Sequence, residues 1–382
     1  MSNDYESSDL ELFRDNVQRF IAEHVAPDYQ QWEKDGITPR ALWNKLGEAG
    51  LLLVDVPEQY GGAGAPFIFS MALLEEFGKA GFPSVSAGMA VHSDVVAHYL
   101  VNCGTTEQKD YYLPKMARGE LIGAIAMTEP GAGSDLQSII TSADEQGDNY
   151  KINGSKIFIT NGQHCDFVVV AARTNKAVAG AKGTSLFIVD CTTQGFGRGR
   201  NLEKIGLHAA DTSELFFQDV VVPKTAILGQ LDRGFVVLMS ELQRERLTLG
   251  FIAQSAAEGT LALTIDYVKE RKAFGKPIGD FQNTRFRLAE MQMDVRMHRA
   301  FVNECLASYL KGELDVGSVS MAKLGCTEMQ GRIADGCLQM FGGYGYMAEY
   351  PVSRAYTDAR AQRIYGGTSE VMKDLISREI MR

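Results

Sequence analysis

The chain is 382 residues long, 45% hydrophobic and 23% charged, with a formal net charge of −10. That length leaves room for two or three domains of ordinary globular composition. The acidic balance, with no dense basic stripe, excludes nucleic acid as a partner, and no run is apolar enough to span a membrane.

Residues 1–10 are acidic and polar, without the regions of a secretory signal or the Arg-rich character of a transit peptide. From there to residue 122 the texture is helical. Leu12, Phe13, Val17, Phe20, Ile21 and Val25 fall at helical spacing, and Pro27 closes that helix. Residues 71–77 and 89–101 repeat the pattern, with Gly- and Pro-rich connections at 60–66 and 81–84. Between 123 and 232 the period changes. Short β-branched runs at 122–127, 156–160, 167–171, 185–189 and 215–222, separated by Gly, Asn and Asp turns, predict a small antiparallel barrel or sandwich. After 233 long helices return at 236–269, 282–310 and 315–340, which predicts a bundle. The expected organisation is an N-terminal helical domain (1–122), a middle β domain (123–232) and a C-terminal four-helix bundle (233–382). Six scattered cysteines without CxxC spacing and six histidines without an HxxxH pair point to free thiols in a reducing compartment, the cytoplasm, and to no metal site.

One residue breaks the pattern of the first long C-terminal helix. Leu238, Leu242, Glu245, Leu249, Ile252 and Ala256 recur in steps of three and four, so a carboxylate stands in an apolar stripe. Burial without a cationic partner raises a carboxyl pKa, which tunes it as a general base. Its neighbours Arg244 and Arg246 point away on a helix and are poor partners.

A second feature is Ala126-Met-Thr-Glu-Pro-Gly-Ala-Gly-Ser-Asp135, a Gly-rich turn after a strand, whose free backbone N–H groups and hydroxyls can hold a phosphate or the edge of a planar cofactor. Two further motifs follow in order: Glu270-Arg-Lys-Ala-Phe-Gly-Lys276 with Gln282, and Gln339-Met-Phe-Gly-Gly-Tyr-Gly-Tyr346 with Glu349, Arg354 and Asp358. With these three motifs the chain resembles the acyl-CoA dehydrogenase family over its whole length, most closely the long-chain type.

The resemblance implies FAD-dependent desaturation of the α,β bond of an acyl-CoA to the trans-2-enoyl-CoA, in fatty acid β-oxidation, with electrons passed to electron-transfer flavoprotein. It assigns Met127, Thr128, Gly133 and Ser134 to the flavin, pyrophosphate and pantetheine. Phe158, Ile159 and Thr160 belong to the strand covering the flavin. Arg271, Phe274, Gln282, Gln339, Gly342 and Gly343 would reach the ADP half of FAD from a neighbouring subunit, which implies a homotetramer. Thr368 and Glu370 complete the cofactor set. Ser134, Gln243, Arg246, Gly366 and Gly367 are expected at the substrate. Many members carry the base directly after the tyrosine that matches Tyr365, where this chain has Gly366, so the resemblance moves the base to Glu245. Glu245 would take the α-proton while the β-hydrogen leaves as hydride to flavin N5. The Gly366 N–H and the FAD ribityl hydroxyl would bind the thioester carbonyl.

A glycine at 366 is expected to vacate room for a long or branched acyl group, and a medium- or long-chain acyl-CoA is the expected substrate. Ser84, Ser86, Ala87 and Gly88 suggest an uncrowded pocket wall. The alternatives are a short branched-chain, isovaleryl-type dehydrogenase, a flavin oxidase of the same fold, or a non-catalytic acyl-CoA-binding relative. Glu129 and Asp135 lack companions for a metal and are expected to fix their turn by backbone hydrogen bonds.

Overall fold

The computed structural model describes residues 8–381. The start of the acidic segment read for targeting signals, residues 1–7, lies outside the described residues. The N-terminal part is helical: α1 (Ser8–His24), α2 (Tyr29–Asp35), α3 (Arg40–Glu48), α4 (Phe67–Lys79), α5 (Pro83–Met89), α6 (Ala97–Cys103) and α7 (Thr106–Ala117). Val17, Phe20 and Ile21 form the buried face of α1 as their spacing requires, together with Leu10, whereas Leu12 of the expected stripe is 59% exposed. The stretch read as one helix over 89–101 carries a π turn at Ala90–Val96, in which the Ala97 N–H reaches back five residues to the His92 carbonyl. Periodicity does not reveal such a turn, because it adds one residue without changing composition. α7 begins with a capping box in which Thr105 and Gln108 satisfy each other's backbone N–H groups.

The middle part is one eight-stranded sheet: β1 (Gly123–Ala126), β2 (Ser142–Gln146), β3 (Asn149–Thr160), β4 (Phe167–Arg173), β5 (Thr184–Asp190), β6 (Phe196–Asn201), β7 (Thr212–Pro223) and β8 (Ile227–Leu228). The strand order is β6-β7-β3-β2-β4-β5-β8, with β1 beside β4. The sheet is not wholly antiparallel, since β1 and the start of β2 run parallel to β4. β2, β6 and β8 were not foreseen: Ser-Ala-Asp-Glu-Gln and Phe-Gly-Arg-Gly-Arg-Asn have little strand character, and ladder bonds to β3 and β7 make β2 and β6 strands. β4 shows how the parts join. Phe167, Val169 and Ala171 point into the N-terminal helical core, while Val168, Val170 and Ala172 point into the sheet's own core. A strand buried on both faces needs an apolar residue at every position, which explains its unbroken run.

The C-terminal part begins with α8 (Gly234–Glu270), 37 residues long, followed by a short hairpin of β9 (Lys272–Ala273) and β10 (Lys276–Pro277). Then come α9 (Gln282–Leu310), α10 (Val316–Phe341), α11 (Pro351–Gln362) and α12 (Ser369–Ile380). The order helical, β, helical bundle is the one expected. α8 packs tightly on α4: a Cβ at Gly259 would overlap the Lys79 backbone, and one at Gly78 would overlap Ser255. Beside this crossing Glu75, 4% exposed, accepts from Arg14 at 2.6 Å and from Arg299, which also grips Glu258 at 2.8 Å. The two guanidiniums hold Glu75 below the usual carboxylate range in spite of its burial.

Removing one member of a buried ion network strands the others. Glu75→Ala should therefore lower unfolding stability by about 3 kcal/mol in urea titration. A change below about 1 kcal/mol, the size of a surface pair, would show that the network is not the joint between α1, α4 and the bundle.

Candidate active site

α8 turns its apolar stripe inward. Leu238, Ile252 and Ala256 are buried, whereas Leu242, Glu245 and Leu249 in the middle keep partial exposure. Arg244 faces the other way. It binds Asp55 at 2.8 Å and Asp94 at 3.0 Å and lies 3.9 Å from the centre of the Phe67 ring. Asp55 also meets His98 at 3.0 Å and Ser70 at 3.2 Å. His92 bonds the Met116 carbonyl and the Gly123 N–H, so both histidines are satisfied inside the fold. Glu241, one turn before Glu245, accepts from the Asn102 amide at 3.0 and 3.1 Å. Among the described residues Glu245 is left with one side-chain hydrogen bond, from the Tyr99 hydroxyl to Oε1 at 3.0 Å.

Burial pushes the Glu245 carboxyl up to about 7. The Tyr99 bond draws it down, the Glu241 carboxylate pushes it up, and Arg246 draws it down again. A carboxylate of this kind can take a proton near neutral pH. Neither Tyr99 nor Asn102 carries a signal in the sequence, because each meets its partner across about 140 residues of chain.

The turn after α11 lies one helical turn further along α8. Gly366 and Gly367 stand at φ +63° and +98°, which glycine adopts without steric cost. The space beside Gly366 is not vacant, contrary to expectation: a Cβ there would overlap Leu249 Cδ1. Among the described residues the Gly366 N–H has no acceptor. Arg246, 7% exposed, lies against Gly367 with its Nε unbonded, and Gln243 is partly exposed on the same helix. Thr368 caps α12 by accepting from the Val371 N–H, and Glu370 is exposed in its first turn.

The Gly-rich loop is braced from behind. Glu129 accepts from the Ile140 and Thr141 N–H groups at 2.7 and 2.9 Å, as expected of a turn-fixing carboxylate. Its partner was not foreseen. Lys156 is 1% exposed and reaches both Glu129 and the Met127 carbonyl at 2.9 Å. The face in front is open: Met127 and Thr128 are partly exposed, Gly133 and Ser134 are exposed, and nothing stands within 4 Å of where a Cβ at 131 or 133 would lie.

Opposite, the β3–β7 ladder slips between Lys156 and Ile159, and the residue at the slip, Phe158, stands at φ +61° with its side chain 64% exposed. Strain and apolar exposure at one residue mark a surface built for an occupant. The hydroxyls of Thr128, Ser134 and Thr160 make no hydrogen bond within the described residues. An open glycine cradle, an exposed ring and free hydroxyls fit FAD. Ile159 is a correction in part. Its side chain is packed in the sheet core, so only its backbone can face a cofactor. Ser84, Ser86 and Gly88 are buried and do not line an open wall; a Cβ at Gly88 would press on Asn161.

The remaining expected cofactor residues gather at the far end of α8. The Arg271 guanidinium lies 5.3 Å from the centre of the Tyr344 ring, and Tyr267 stacks on Phe341 at 3.9 Å. Phe274 is 95% exposed at the hairpin tip, and Gln282, Gln339, Gly342 and Gly343 are exposed around it. This group stands 26 residues from Glu245, roughly 39 Å along a helix rising 1.5 Å per residue. No group of three or more His, Cys, Asp or Glu able to hold a metal occurs among the described residues, and no helix there is long and apolar enough to cross a membrane.

Comparison with known proteins gives one family throughout. The acyl-CoA dehydrogenase N-terminal, middle and C-terminal domain families match residues 7–120, 124–220 and 232–381. The mitochondrial long-chain specific acyl-CoA dehydrogenase of Sus scrofa is 46% identical over 376 residues, 98% of this chain and 87% of that protein. The mitochondrial isovaleryl-CoA dehydrogenase of Solanum tuberosum is 36% identical over 372 residues, 97% of this chain and 90% of that protein. The crystal structure of an acyl-CoA dehydrogenase from Geobacillus kaustophilus superposes with a TM-score of 0.97 at 47% identity, covering 99% of both chains. A glutaryl-CoA dehydrogenase from Mycobacterium smegmatis, in complex with FADH2, superposes at 0.93 with 27% identity, over 99% of this chain and 96% of that one.

The Tyr99 hydroxyl favours the charged form of Glu245, so removing it should raise the carboxyl pKa further. In Tyr99→Phe the Glu245 carboxyl stretch, followed by infrared difference titration against Glu245→Gln, should titrate above the wild type's pH of about 7. An unmoved midpoint would show that the hydrogen bond does not tune this group.

Proposed function

This chain belongs to the acyl-CoA dehydrogenase family and is an FAD-dependent oxidoreductase acting on an acyl-CoA, and from that premise we propose that Glu245 is its catalytic base. The observation that carries this reading is a carboxyl raised to about 7 one helical turn from an unpaired glycine N–H. In its charged form Glu245 takes the α-proton of the thioester. The α-proton is weakly acidic, so negative charge developing on the thioester oxygen needs a donor fixed in advance, and the Gly366 N–H supplies it. Tyr99 holds Glu245 in place by its hydroxyl. FAD, when bound, supplies the acceptor for the β-hydrogen as hydride. Met127, Thr128, Gly133, Ser134, Phe158, the Ile159 backbone and Thr160 would hold its flavin half, with Thr368 and Glu370 nearby. Gln243, Arg246, Gly367 and Ser134 would line the substrate path.

The ADP half would rest on Arg271, Phe274, Gln282, Gln339, Gly342 and Gly343 of a second copy. Two features support a shared site: these residues stand roughly 39 Å along α8 from Glu245, and the outer face of α9 exposes Phe286, Met293 and Met297 at helical spacing. A homotetramer follows as the proposed assembly, with electron-transfer flavoprotein as the electron acceptor. All six thiols are free, which supports a reducing compartment; the cytoplasm is the proposed one, and the Sus scrofa relative, named as mitochondrial, makes the mitochondrion the second reading.

The proposed substrate is a long straight-chain acyl-CoA, supported by the 46% identity to the Sus scrofa relative. A branched short chain is the second reading, because Leu249 fills the room beside Gly366. Anaerobic bleaching of bound flavin across straight-chain acyl-CoAs and isovaleryl-CoA separates the two. Strongest bleaching by long chains upholds the first, and strongest bleaching by isovaleryl-CoA replaces it with the second.

Glu245→Gln should keep FAD and lose about 10²- to 10⁴-fold in the bleaching rate. Near-normal bleaching in that variant would end the assignment of the base. Light scattering at low and high salt should return four copies, and a monomer with full FAD content would exclude the shared site.

A further inference from the structure

The turn that carries the Gly366 N–H has little to hold it in shape. Two successive glycines at positive φ reach that conformation freely and leave it as freely. The hold comes from α10. Lys323 is 1% exposed, and its Nζ donates to the Gly367 carbonyl at 2.6 Å. Further along α10, Glu328 accepts from the Ser369 hydroxyl at 2.6 Å and from Arg363 Nη1 at 3.2 Å. One helix therefore grips the turn in its middle and on both flanks.

A buried ammonium is an expensive way to fix a carbonyl. An apolar side chain of similar length would fill the same space, so packing alone gives no reason for a cation here. The groups facing Lys323 are Arg246 from α8, Glu328 from its own helix and Glu370 from α12. Burial first, then Arg246, lower the ammonium to about 8, against the pull of the two carboxylates. Lys323 and Arg246 thus bring two desolvated cations to the glycine turn, where negative charge would develop on the thioester oxygen.

We propose that Lys323 is a positioning residue for the dehydrogenation: by fixing the Gly367 carbonyl it aims the Gly366 N–H at the thioester oxygen and adds a positive charge beside it. This rests on the reading of Gly366 as the thioester donor and of Glu245 as the base. Misaiming a donor of this kind costs about 10²-fold in rate with little effect on ground-state binding.

The test uses the FAD-loaded enzyme, with Lys323→Met, Lys323→Arg and Glu245→Gln compared by stopped-flow bleaching with the straight-chain acyl-CoA that the wild type turns over fastest. Lys323→Met should hold FAD, saturate at a similar acyl-CoA concentration and bleach about 10²-fold more slowly. Lys323→Arg, which keeps a donor and a charge, should recover most of the rate. The wild-type rate should fall above about pH 8, where the ammonium loses its proton, and Lys323→Arg should lose that fall. Wild-type bleaching by Lys323→Met overturns the proposal. If Lys323→Met cannot hold FAD, the pH profiles decide: a wild-type rate that stays level through pH 8, or an unchanged fall in Lys323→Arg, overturns it. Glu245→Gln separates the two levels. A dead Glu245→Gln beside a normal Lys323→Met removes only the role of Lys323, whereas a normal Glu245→Gln removes the reading of the site itself.

Discussion

Around the middle of α8 most buried charges are paired, and the exceptions are Glu245, with its Tyr99 hydrogen bond, and the adjacent Arg246, without an ion pair among the described residues. Arg244 is closed off by Asp55 and Asp94, Glu241 by Asn102, and Glu75 by Arg14 and Arg299. Unpaired burial of a carboxylate costs stability, since it raises the pKa and leaves a group that is neither well solvated nor well bonded. The surrounding structure has to absorb that cost. Close packing of α8 on α4, a sheet feeding two cores from one strand, and the ion network beside the crossing are the features that do so. The same desolvation that weakens the fold locally makes the group chemically useful.

What could be read from the sequence was what has a short period or a fixed order. The long helices, the change to strands after residue 122 and the misplaced carboxylate in an apolar stripe all repeat within a few residues. Glu245 is therefore legible from its neighbours, and the Gly-rich and Gly-Gly-Tyr-Gly motifs from their order. What could not be read depends on encounters across the fold. Tyr99 reaches Glu245, Lys156 reaches Glu129 and Lys323 reaches the Gly367 carbonyl, and none of these lysines or tyrosines stands out in its own segment. β2 and β6 escaped notice because their ladder partners, and not their side chains, make them strands.

At Gly366 a small side chain does not mean an empty space. A smaller residue implies more room only if nothing else moves into the gap. Here a leucine on the neighbouring helix occupies it, so the glycine serves backbone conformation and close approach, not volume.

The π turn at Ala90–Val96 sets the phase of everything that follows it on that helix. One residue in a π turn is surplus to the α-helical count, and removing it would rotate the downstream segment by about 100°. Val101 and Cys103 would then share in a rearranged face, and His98, Tyr99 and Asn102 would leave the one that meets Asp55, Glu245 and Glu241. One residue of chain length in that turn therefore decides whether three polar contacts form together.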